Sequence, residues 1–165
     1  VIFFLENGLA RSFLVQCPIS LDSHFENLQN QTDALVEFLP TLAYFFSELE
    51  KRKGKDGRSL ASQTLVVISS ELGRFPILNA FNGKDHFPEM PMIFMGPGVR
   101  PGQYGATDGL MAALPISNAT GKRSDSQGSL VPTIDDVGAT LLRAFGVEDA
   151  VGLGHFGRDL PFLVG

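Results

Sequence analysis

The chain has 165 residues, enough for one domain to bury roughly two-thirds of the surface its unfolded form exposes. Hydrophobic residues make up 44% and charged residues 19%, and the charges are scattered, which excludes a disordered chain and a coiled coil. With 13 Lys and Arg against 18 Asp and Glu the net charge is −5, and no basic cluster is interleaved with aromatics, so no nucleic-acid partner is expected.

In chain order, residues 1–5 (VIFFL) read as a strand already under way with no initiating Met, as in a fragment or in a chain with a matured or unnumbered start. After Asn7-Gly8, the apolar run over residues 12–17, stopped by Pro18, fits a buried strand. It contains Cys17, the only cysteine, which excludes an internal disulfide and reads as a small core hydrophobe rather than a reactive thiol. From 27 to 53, Leu28, Leu35, Leu39, Leu42, Phe46 and Leu49 recur at helical spacing and predict one apolar face, with a kink or restart at Pro40. No apolar run reaches the roughly 18 residues that a membrane span needs.

Residues 64–69 (TLVVIS) form the clearest strand signal, and 90–95 (MPMIFM) a second, with Pro91 tolerated only near its start. The Gly- and Pro-rich stretch 97–130 reads as mostly loop. Thr133 and Asp136 then match a capping box opening a helix through Val137, Leu141, Leu142 and Phe145 to Gly146. Strands alternating with helices imply a single α/β domain over 1–165, with a mostly parallel sheet flanked by helices. Phe25, Phe45, Phe46 and Phe145 read as core, and His155 as a loop residue in a flexible tail.

In open parallel sheets, polar residues beyond the strand ends line the binding crevice. Two places fit. In Asp22-Ser23-His24, residues two apart on an extended segment face one side, so a carboxylate and an imidazole can converge on one ion. The other runs from Glu71 and Arg74 through Asn79 to Asp85-His86, directly after the strongest strand. Mixed carboxylate and imidazole ligands suit zinc, manganese or iron and leave positions open for water and an oxyanion.

The segment 64–88, TLVVISSELGRFPILNAFNGKDHFP, resembles the signature of a bacterial sulfatase-like family of unknown function (domain-of-unknown-function family 1501) in the alkaline phosphatase superfamily. Glu71, Gly73, Arg74, Pro76, Gly83, Asp85, His86 and Pro88 match that signature, while Phe75, Lys84 and Phe87 depart from it. LDSHFENL is similar to the family's Asp-Thr-His motif, MPMIFMGPGVRPGQYGATD to the strand and Gly-rich turn that follow its Asp-His, and TIDDVGATLLRAFGV to its closing helix.

The resemblance implies the C-terminal portion of an alkaline phosphatase/sulfatase-like fold and a metal-dependent hydrolase of phosphate or sulfate esters. Such enzymes hold two ions, and a Ser, Thr or Cys nucleophile attacks the ester. By position, Asp22 and His24 serve one divalent metal (zinc, manganese or iron), and Glu71 and His86 the other or a water. Asp85 ligates or orients His86, and Arg74 receives the ester oxyanion. The implied partner is a small-molecule ester or the missing N-terminal part of the same protein, and the implied location is exported, in the periplasm or at the cell surface. The alternative is a non-catalytic exported or surface protein that keeps the fold for binding or assembly, with Glu71, Arg74 and Asp85 as a structural network.

Overall fold

The computed structural model describes residues 1–147, 149, 154 and 156–165. His155 lies outside the described residues. The chain divides into two compact units, Val1–Pro97 and Gly98–Gly165.

The first unit opens with helix α1 (Ile2–Glu6) where a strand was expected. A strand needs a neighbour to satisfy its backbone. Here the satisfaction is local: Phe4 and Leu5 N–H donate to the Val1 carbonyl, and the Asn7 side chain donates to the Phe3 carbonyl at 2.8 Å. Residues 12–17 form no ladder either, and Leu14 and Val15 stand in water rather than in a core.

Helix α2 (Asn27–Lys51) runs through Pro40 without a break, although that ring offers no N–H to the Val36 carbonyl. Its expected apolar face is covered unevenly. Leu49 is buried and Leu42 and Phe46 half-buried, whereas Leu28, Leu35 and Leu39 are exposed. Phe25, expected in the core, is exposed as well and leans on Phe81, ring centroids 5.6 Å apart.

Strands β1 (Val66–Ile68) and β4 (Ile93–Met95) pair antiparallel, with Val66 opposite Met95 and Ile68 opposite Ile93. Between them, β2 (Gly73–Arg74) and β3 (His86–Phe87) form a second antiparallel ladder. The two expected strands therefore face each other directly. A parallel pair needs a crossover, usually a helix, and the chain from Ile68 to Ile93 holds a hairpin and loops instead. Among the described residues, these two-stranded antiparallel ladders are the only sheets, and no helix is long and apolar enough to cross a membrane.

The second unit has the better-formed core. Ile116, Leu130, Leu160 and Phe162 pack together, with Tyr104, Ala106, Val137 and Leu163 against them. As the composition implies, its first part is mostly loop, tied by the bridges of Ile116 to Arg123 and to Leu130. Helix α3 (Ile134–Ala144) begins with the expected capping box: the Thr133 hydroxyl accepts from Asp136 N–H, and the Asp136 carboxylate accepts from Thr133 N–H at 2.9 Å. Gly146, at φ +81°, follows the helix as expected.

Its buried residues, however, are Asp136, Ala139 and Thr140, while Phe145 is exposed. The helix presents this polar face inward because Asp136 gathers donors there. Arg158 donates from its backbone N–H (2.7 Å), Nε (3.0 Å) and Nη2 (2.7 Å). The Thr140 hydroxyl gives its proton to the Asp136 carbonyl and accepts from Leu160 N–H, joining the helix to the core residue Leu160. Burial alone pushes the Asp136 carboxyl up, but the bonds from Arg158 and Thr133 outweigh it and bring it down to about 2.

Candidate metal centre

The β2–β3 hairpin sets one side of the site. Arg74 and His86 are directly opposite in its ladder, and opposite residues of an antiparallel pair share a face. The loop between the strands is closed by backbone bonds from Phe75 N–H to the Asp85 carbonyl and from Asn79 N–H to the Gly83 carbonyl, both 2.8 Å.

Residues 22–27 lie along this loop. Lys84 N–H donates to the Ser23 carbonyl, Glu26 N–H to Phe81 and Asn27 N–H to Asn82. The approach is close enough to demand glycine. A Cβ on Gly83 would fall 1.8 Å from the His24 carbonyl oxygen, and one on Gly73 would fall 1.9 Å from that of Glu89. Ser23 is fully buried, its hydroxyl giving its proton to Asn27 Oδ1 at 2.7 Å and accepting from Gln31. With Ser23 turned inward, its neighbours Asp22 and His24 turn toward the hairpin.

There they meet His86. One donor atom from each of Asp22, His24 and His86 lies within 4.8 Å of the others. His24 Nε2 is 3.1 Å from His86 Nε2 and 3.5 Å from Asp22 Oδ1. On a tetrahedral ion with metal–nitrogen bonds of about 2.0–2.1 Å, two imidazole nitrogens sit about 3.3–3.4 Å apart, so the spacing of the two imidazole nitrogens fits such an ion with little adjustment. Two nitrogens and one carboxylate oxygen suit zinc, manganese or iron, and three protein ligands leave a coordination position for water or substrate.

Asp85 completes the arrangement from behind. Its Oδ1 is 2.9 Å from His24 Nδ1 and accepts from Asn79 Nδ2 at 3.2 Å. The bonds from His24 and then Asn79 hold the Asp85 carboxyl below its usual range. It is therefore an ionised acceptor at neutral pH, so Nδ1 of His24 carries the hydrogen, and in the neutral imidazole this leaves Nε2 with the lone pair. A carboxylate behind a ligating imidazole is the common outer support of metal-bound histidine.

Arg74 reaches the cluster too. Its Nη2 donates to Asp22 Oδ1 at 2.7 Å and its Nη1 to the Lys84 carbonyl at 3.0 Å. An open hollow of about 390 Å³, lined by Ile19, Ser20, Asp22, Asn30, Asp33 and Glu37 among others, begins at Asp22.

Of the residues singled out from the sequence, five converge: Asp22, His24, Arg74, Asp85 and His86. Three details differ from expectation. His86 lies in one group with Asp22 and His24, where the expectation paired it with Glu71. Asp85 supports His24, not its chain neighbour His86. Glu71 stands outside the cluster. Its carboxyl is held low chiefly by its own backbone N–H and then the Ser70 hydroxyl, with Arg74 and His86 adding attraction. Asn79, which the sequence places only as a member of the loop, turns out to contact both His24 and Asp85.

Residues 9–159 match the family model described as "Protein of unknown function (DUF1501)", and the chain belongs to that family. Neither a curated protein nor a solved structure matches it.

Proposed function

We propose that this chain supplies the Asp22, His24 and His86 half of a metal centre in a sulfatase-like hydrolase of phosphate or sulfate esters, within the alkaline phosphatase superfamily. The observation that carries the reading is the convergence of two imidazole Nε2 atoms and one carboxylate, with Asp85 behind His24. A divalent ion held there would neutralise charge developing on an ester oxygen.

Other residues of the chain support the ion and the ester. Asp85 fixes the His24 tautomer. Arg74, at the margin of the cluster, is the group suited to an anionic ester, since its planar fork can give two parallel bonds to phosphate or sulfate once it leaves Asp22. Asp22 links the cluster to the hollow, where Asp33 and Glu37 disfavour a second anionic group on the substrate. The attacking hydroxyl or thiol comes from elsewhere in the protein in this reading, as does the larger, mostly parallel sheet that such enzymes contain. The proposed location is exported.

The alternative, a non-catalytic protein that keeps the site as a structural network, is favoured by one observation: both arms of Arg74 are already satisfied, by Asp22 and by the Lys84 carbonyl. Hydrolysis of aryl phosphate and aryl sulfate by the protein with added zinc or manganese separates the two. The esterase reading expects turnover that Asp22→Ala and His86→Ala both abolish while circular dichroism is unchanged. Turnover that survives both substitutions contradicts it.

A further inference from the structure

Asn79 occupies a position whose geometry goes beyond loop closure. Its side-chain oxygen accepts from the backbone N–H of Phe81 and of Gly83, both at 2.9 Å. Its side-chain nitrogen donates to the His24 carbonyl at 3.1 Å and to Asp85 Oδ1 at 3.2 Å. The orientation of the amide is fixed, because a flipped group would set its NH2 against two N–H donors and its oxygen against two acceptors. The Asp85 oxygen it holds is the one facing His24 Nδ1. The Asp85 side chain is 61% exposed, so without this bond the carboxylate can swing into water.

We propose that Asn79 is the positioning residue of the cluster: by holding both the backbone of His24 and the carboxylate behind its ring, it decides which nitrogen of His24 faces an ion. This rests on the metal-centre reading only for its consequence, since the tautomer can be read in the metal-free protein. Asn79→Asp isolates the role. It keeps an oxygen for Phe81 and Gly83 N–H, so the loop stays closed. It also replaces the donor facing His24 and Asp85 with an acceptor, which repels both.

The test pairs nitrogen-15 spectra of the histidine rings in the metal-free protein with zinc binding measured by titration. In the wild type, His24 is expected as the Nδ1–H tautomer. In Asn79→Asp, the Phe81 and Gly83 amide signals are expected to persist while that tautomer is lost and the zinc dissociation constant rises roughly 10–100-fold. Asn79→Ala, which drops both ends of the amide, is expected to weaken zinc at least as much.

Wild-type His24 in the Nε2–H form overturns the proposal. So does an Asn79→Asp or Asn79→Ala protein with unchanged tautomer and unchanged zinc affinity. A wild type that binds no zinc, yet shows the Nδ1–H tautomer and loses it in Asn79→Asp, upholds the positioning role and counts against the metal-centre reading instead.

Discussion

In the unit Gly98–Gly165, Ile116, Leu130, Leu160 and Phe162 exclude water together, and the buried carboxylate of Asp136 is matched by donors on every side. In Val1–Pro97, Leu14, Leu28 and Val36 stand in water, yet Asp22, His24 and His86 converge there. The difference teaches how each is held. The second unit combines apolar burial, which is non-directional and tolerates open loops, with the directional bonds of Asp136 and Thr140 that seat α3. The site is ordered by directional bonds between loop 75–85 and residues 22–27, and by a glycine that lets their backbones touch. Directional bonds can fix an imidazole to within a few tenths of an ångström where a surrounding core is thin.

The sharpest break of this comparison is one substitution type made in both units. Leu160→Ala, at a fully buried position, is expected to cost about 2–5 kcal/mol. Leu28→Ala, at an 81% exposed one, is expected to cost less than about 0.5 kcal/mol. Denaturant titration of both proteins reads the contrast, and equal losses would contradict it.

Next in size is Gly83→Ala. Its methyl group cannot share space with the His24 carbonyl, so residues 22–25 must move, and zinc affinity is expected to fall on the order of a hundredfold. Unchanged binding would show that the close approach is not what places His24.

A smaller effect concerns pH. The Asp136 carboxyl, brought from 3.8 to about 2 by folding, contributes stability that is fully present above its unfolded value. That contribution is lost as pH falls through the folded one, and amounts to about 2 kcal/mol. Denaturant midpoints between pH 5 and pH 2 should show the loss, and Arg158→Ala should shrink it. Smallest is Thr133→Ala, which removes the hydroxyl half of the capping box and should cost about 1 kcal/mol in thermal unfolding.

How much of this was legible depended on the range of the interactions. The α3 capping box was readable because Thr133 and Asp136 are three residues apart and answer each other locally. Asp22 and His24 were readable as a pair for the same reason, since alternate residues of an extended segment share a side. Helix α2 could be placed from its apolar period, but not which part of its face would be covered, because coverage depends on other segments. The strand expected over residues 1–5 failed because β-branched and aromatic content indicates a strand only where a ladder partner exists.

Within the site, Asp22, His24, Arg74, Asp85 and His86 come together as a group while Glu71 stands apart, and how the group pairs was not legible. Asp85 and His86 are chain neighbours, which suggested that one orients the other. Instead they meet opposite nitrogens of His24, a residue 61 positions from Asp85. Asn79 carried no motif of its own. Its role comes from an amide that meets two acceptors and two donors only after the loop has closed.

Metal content measured by mass spectrometry on the purified protein, beside the Asp22→Ala/His86→Ala double variant, tests the central claim most directly. The account predicts stoichiometric zinc, manganese or iron in the wild type and its loss in a folded double variant. A folded wild type that carries no transition metal after incubation with each ion would contradict it.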